Sequence, residues 1–193
     1  ILKEYRIVPH SHETKLKNLD QRVDFFFSVR SPDIRFESAF YMLRDQSTRK
    51  FTVSEEVLFG SFSSANDLAE ALFSESEKGG LAYQLMNTVY HFSATQHSFF
   101  QHSSHFDLNP PFVIIRQEFL EDDWNFFTRK LKISNRLLSH IKPKVSNHRK
   151  IIPKVELSKK ALKNLSKWYA KDWYFYNYCC KIQESNLKNE GKL

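Results

Sequence analysis

Two polar side chains flank a change of rhythm near the start of the chain. Residues 23–29 (VDFFFSV) form an apolar run, Arg30 follows it, and Ser38 lies eight positions further on. A guanidinium is a planar, permanently charged fork that matches the oxygens of a phosphate. A helix opening between the two would add unpaired N–H donors and the positive end of its dipole. Helical side chains lean back toward the N-terminus, so the Ser38 hydroxyl could reach the same anion. The chemistry available to this pattern is phosphate binding.

The elements that must position these groups are legible around them. The continuous apolar run predicts a strand over Val23–Val29, buried on both faces of a parallel sheet. Ser31 suits an N-cap, Pro32 the first helical position and Asp33 the positive end of the dipole. Ile34, Phe36, Ala39, Phe40 and Leu43 then recur at helical spacing. Ligands of open α/β sheets sit at the carboxyl ends of strands, which is where Arg30 falls.

Further along, residues 46–64 read as polar and turn-like, with Thr52 a possible helix start. A short helix is expected over Asn66–Phe73, ending before Gly79-Gly80, and a longer one over Leu81 to about Phe100. Pro110-Pro111 breaks the chain. Phe112–Ile115 is a second buried strand, and Phe119 to about Lys130 a helix with acids at its start. Residues 137–155 read as a basic loop. Ser158 caps one final helix with Leu162, Leu165, Trp168, Tyr169 and Tyr176 inward. Alternating strands and helices imply an α/β fold with a parallel sheet, one domain over residues 1–185 and a frayed tail over 186–193.

Composition bounds the partners. The chain has 193 residues and a net charge of +7, unevenly spread: fourteen of the 29 Lys and Arg lie between Arg129 and Lys171, with one acid, Glu156. This asymmetry points to an anionic partner, or else to a solvated helix face and a basic loop. A nucleic-acid partner is not expected, since no recognised module accompanies the charge. No run approaches the roughly 18–20 apolar residues of a membrane span. The only cysteines, Cys179 and Cys180, are neighbours, which excludes a disulfide framework and predicts buried, inert thiols. His91, His97, His102 and His105 are crowded, but no ligand motif surrounds them, and no metal is expected.

At Arg30 the sequence resembles a known family. Arg30-Ser-Pro-Asp-Ile-Arg35-Phe36-Glu-Ser38-Ala-Phe-Tyr41 closely resembles the R-x-P-x-x-R-F-x-S-x-x-Y block of sulfotransferases. The resemblance implies that Arg30 and Ser38 hold the 3′-phosphate of the sulfate donor, 3′-phosphoadenosine 5′-phosphosulfate (PAPS), while Arg35 and Phe36 lock the helix against the sheet. His10-Ser-His12 resembles the H-x-H segment of carbohydrate sulfotransferases that modify uronic acid hydroxyls. Phe112 to Trp124 and Leu157 to Cys179 resemble later blocks of bacterial and Golgi members. By this resemblance His12 is the general base, with a pKa near working pH. His10 orients it or touches substrate, and Glu13 is a substitute base. Lys144, Asn147, His148 and Arg149 fall where relatives return a loop over the nucleotide, with Arg149 toward the donor's phosphate and the lysines toward an anionic acceptor, or the segment is simply solvated.

The implied fold is a P-loop NTPase-like three-layer sandwich with a central parallel sheet, and the implied partners are the nucleotide donor and a hydroxyl acceptor, a glycan. One block departs from the pattern. The family's strand, Lys- and Gly-containing loop and helix for the 5′-phosphosulfate have no counterpart, and Gly60, Gly79, Gly80 and Gly191 occupy none of its positions. The expectation is an N-terminally truncated enzyme, inactive as given, or a non-catalytic nucleotide- or glycan-binding relative. The expected compartment is the cytoplasm, or the Golgi lumen if an anchor precedes the chain.

Overall fold

The structure, a computed structural model, describes Val8, Lys15, Phe106 and residues 23–44, 52–99, 110–133 and 155–190. The chain forms two compact units. One comprises Ile1–Arg30, Gln96–Pro143 and Phe175–Leu193, the other Ser31–Thr95 and Lys144–Tyr174. The described residues are mostly helical, with one small parallel sheet, so the chain has α/β character.

The first unit holds the sheet. Strands β1 (Phe26–Val29) and β2 (Val113–Arg116) run parallel, with Phe26 opposite Val113 and Val29 opposite Arg116. β2 is buried along its whole length, as its unbroken apolar run predicts. β1 differs from the expectation of a strand covered on both faces. Phe25 and Val29 are buried, whereas Val23 and Phe26 are exposed, Phe26 by 40%. The strand alternates, because Phe25 and Phe27 pack with Phe106 on one face while Phe26 meets a tilted Phe127 ring on the other.

After a 3₁₀ turn (Gln117–Phe119), helix α7 (Leu120–Lys130) lays Phe126 and Phe127 against Val113 and Ile115. Its first turn carries Glu121, Asp122 and Asp123 and its last Arg129 and Lys130, the order the dipole favours. From Phe175 onward helix α9 (Ala170–Glu190) belongs to this unit, and its Gln183 closes the side of β2 by accepting from Ile114 N at 3.1 Å. The tail expected to fray from residue 186 is helical as far as Glu190, because Leu187 packs against the Val113–Phe127 cluster. Helix α6 (Gln96–Phe99) completes the described elements of this unit.

The second unit is helical: α1 (Pro32–Arg44), α2 (Val53–Gly60), α3 (Ala65–Ala71), α4 (Glu77–Thr88), α5 (Tyr90–Ser93), α8 (Lys159–Trp168) and the first turn of α9. Its core is built on Phe36, Phe40, Phe62, Leu68, Phe92 and Leu165. Local signals start these helices. Thr52 forms a capping box with Glu55, and the Ser64, Ser76 and Ser158 hydroxyls accept from Asp67 N, Gly79 N and Ala161 N. Asn164 donates to the carbonyls of Ala69 and Leu72, each at 2.9 Å, satisfying the end of α3.

Three boundaries differ from expectation. Gly79 and Gly80 lie inside α4 rather than before it, because Ser76 caps the helix five residues before Leu81. The helix expected to run to about Phe100 ends at Thr88, where Asn87 and Thr88 donate side-chain bonds of 2.8 Å to carbonyls four residues back and Val89 turns extended. The last helix breaks at Tyr169, whose buried hydroxyl donates to Phe92 O at 3.0 Å. Leu162, expected to face inward, is 40% exposed, and its neighbour Ala161 is buried instead.

Candidate anion-binding site

The register of the sheet places two arginines at the carboxyl ends of adjacent parallel strands. Arg116 ends β2 opposite Val29, and Arg30 follows Val29 directly. They do different things. The Arg116 guanidinium forms a buried fork with Asp123, Nε to Oδ2 at 2.9 Å and Nη2 to Oδ1 at 2.8 Å. Arg116 N donates to the same carboxylate at 2.8 Å, and Glu184 lies at 3.6 Å. The hydrogen bond to Asp123 outweighs burial and raises the Arg116 pKa above its ordinary value. This arginine ties β2 to α7.

Arg30 is held by its backbone. Arg30 N donates to Gln96 Oε1 at 2.9 Å, and Gln96 Nε2 donates back to Arg30 O at 2.7 Å. One side-chain amide thus continues the ladder one residue past β1. The Arg30 guanidinium donates to the Gln117 side-chain carbonyl. An amide carbonyl orients a guanidinium without carrying a charge of its own.

The second unit begins at Ser31. Ser31 O accepts from Arg35 N at 2.9 Å, opening α1, with Pro32 and Asp33 in its first turn as expected. Ser38 is half-buried on this helix. Arg35 and Phe36 are structural, as expected, but the partners of Arg35 within its unit are not sheet residues. Arg35 donates to Ala94 O at 2.8 Å, His91 O at 3.3 Å and buried Asp172 at 3.3 Å, and lies over the Tyr169 ring. Phe36 is buried against Phe92. Arg30 and Ser38 belong to different units, joined through the Arg30–Ser31 peptide bond.

His10, His12, Glu13, Lys144, Asn147, His148 and Arg149 lie outside the described residues, as do His102, His105 and Gly191. Among the described residues no group of three or more His, Cys, Asp or Glu could hold a metal ion. No described helix is long and apolar enough to cross a membrane. Cys179 is buried and Cys180 half-buried, and burial raises both thiol pKa values. Gln96, Gln117, Asp123 and Gln183 escape a sequence reading, because an isolated amide or carboxylate carries no periodic or motif signal. Asp123 alone left a trace, as one of three acids opening a helix.

No family model, no curated protein sequence and no solved structure matches the chain.

Proposed function

We propose that the chain is part of a sulfotransferase that moves a sulfuryl group from PAPS to a carbohydrate hydroxyl, within a P-loop NTPase-like three-layer sandwich. The observation that carries this reading is a coincidence of motif and geometry. The Arg30–Tyr41 block, which resembles the 3′-phosphate block of sulfotransferases, falls where a parallel strand ends at Val29 and a helix opens at Pro32. Phosphate binding favours that junction. Gln96 and Gln117 add support, because they hold the backbone and the guanidinium of Arg30.

In this reading Arg30 and Ser38 bind the 3′-phosphate, and Arg149 contacts the donor from the basic segment. His12 accepts the acceptor hydroxyl's proton as its oxygen attacks sulfur, with His10 orienting it. The S–O bond to the acceptor forms as the bond to the nucleotide breaks, and adenosine 3′,5′-bisphosphate leaves with the electron pair. PAPS supplies the sulfuryl group; no step calls for a metal.

The test is calorimetric titration of adenosine 3′,5′-bisphosphate, with adenosine 5′-monophosphate as control. Selective binding of the bisphosphate is expected. Arg30→Ala should weaken it at least about tenfold, a charge-assisted bond being worth about 1.5–3 kcal/mol. A folded chain that binds neither nucleotide, or an Arg30→Ala variant with unchanged affinity, overturns the assignment. Selective binding by a full-length protein that transfers no sulfate would support a non-catalytic relative instead.

A further inference from the structure

Helix α8 gathers its charge into one stripe. Lys159, Lys163 and Lys167 recur every four residues with Lys160 beside them, and all four are exposed. Successive members of such a row stand about 6 Å apart along the axis. Ala161 and Leu165, on the other side, are fully buried. For the helix alone this arrangement is unfavourable twice over. Like charges four residues apart repel. Lys159 and Lys160 also occupy the first turn, where the dipole disfavours cations and where the helix has no acid. Among the described residues no ion pair engages Lys159, Lys163 or Lys167. Lys160 has Glu70 within electrostatic reach, and that carboxylate already accepts from Ser158 and Asn66.

The stripe ends on an aromatic cluster. Lys167 Nζ stands 4.0 Å from the Phe73 ring centre, Phe73 lies 6.0 Å from Trp168, and Tyr83 meets Trp168 edge-on at 5.6 Å. Phe73 and Tyr83 are 49% and 63% exposed. Phe73 holds this place at φ 63°, a left-handed backbone that a bulky residue rarely adopts. Glycine or asparagine usually takes such a position after a helix, so a strained phenylalanine with its ring outward is unexplained by core packing.

We propose that this face binds a linear polysaccharide bearing carboxylate or sulfate groups, the lysines pairing with its charges and the Phe73–Tyr83 rings packing on its sugars. The choice of a glycan rests on the sulfotransferase reading and names its acceptor as an anionic chain; the surface itself rests on charge and geometry. Single-stranded nucleic acid fits less well. The stripe contains no arginine, the cation that stacks on bases.

The test compares two variants of equal net charge. Lys159→Ser/Lys163→Ser/Lys167→Ser removes the stripe, and Lys132→Ser/Lys181→Ser/Lys188→Ser removes three exposed lysines elsewhere. The probes are a short dextran sulfate, neutral dextran and single-stranded poly(dT). Dextran sulfate affinity should fall about tenfold or more in the stripe variant and less than about twofold in the control, since screened distant charges contribute little. Phe73→Asn, compatible with left-handed backbone, should weaken it about threefold through the lost ring contact. Equal losses in both triple variants, or poly(dT) binding as tightly through the same lysines, overturn the proposal. Titrating adenosine 3′,5′-bisphosphate into the same samples separates the two readings. Stripe-dependent dextran sulfate binding without bisphosphate binding sinks the enzyme and keeps the surface. Bisphosphate binding with an unaffected stripe variant does the reverse.

Discussion

Gln96 holds Arg30 by both main-chain groups, accepting from its N–H at 2.9 Å and donating to its carbonyl at 2.7 Å. The amide does what a neighbouring strand would do, at the residue on which the proposed donor site depends. Gln96→Ala should therefore act on fold and site together. Leaving part-buried backbone groups unpaired costs about 1–3 kcal/mol, and bisphosphate affinity should fall with it. Gln96→Glu keeps an acceptor but sets a carboxylate against the Arg30 carbonyl, so it should rescue neither. Urea denaturation and calorimetry read both effects; wild-type stability in Gln96→Ala would remove this role.

Asp123 organises the end of β2. It accepts three bonds from Arg116 and is fully buried, so Asp123→Ala strands a charged guanidinium. Breaking a buried pair from one side costs about 3–5 kcal/mol. Replacing both members, Arg116→Met with Asp123→Leu, should recover most of the loss. A double variant less stable than Asp123→Ala in urea would contradict the account.

Adjacent glycines in α4 should respond in opposite directions. A Cβ on Gly79 would stand 2.0 Å from the Ser74 carbonyl oxygen, while one on Gly80 meets nothing within 4 Å. Gly80→Ala should stabilise the chain by about 0.5–1 kcal/mol through helix propensity and unfolded-state entropy. Gly79→Ala should cost about 1–3 kcal/mol, because backbone must move. Melting temperatures of the two variants decide it, and the opposite order would refute the local geometry.

Burial raises the pKa of the Cys179 thiol and of the Tyr169 and Tyr176 phenols. Each group stays protonated in the fold at a pH where the unfolded chain has ionised it. Their stabilisation is thus complete below the unfolded thiol's value, about 8.5, and declines as pH rises above it. The melting temperature should fall between about pH 8.5 and 10, less steeply in Cys179→Ala. Cys179 should also resist a thiol reagent until the chain unfolds. Rapid labelling of Cys179 in the folded chain would contradict its burial.

The sequence by itself determined the features that are local. Pro32 and Asp33 announced α1 from its first turn, while Thr52 with Glu55 announced α2 and Ser158 announced α8, because a cap needs only residues three or four positions apart. The unbroken run before Arg116 marked a buried strand, and Arg30 stood out as a charged fork at a strand-to-helix junction. Tertiary structure decided what depends on distant partners. The pairing of β1 leaves Phe26 exposed despite an equally apolar sequence. Which group each arginine meets was not legible either: Arg116 meets Asp123 across a turn, while Arg30 meets Gln117 from a segment far along the chain. Periodicity reports which way a side chain faces, and only the folded chain settles which group it meets there.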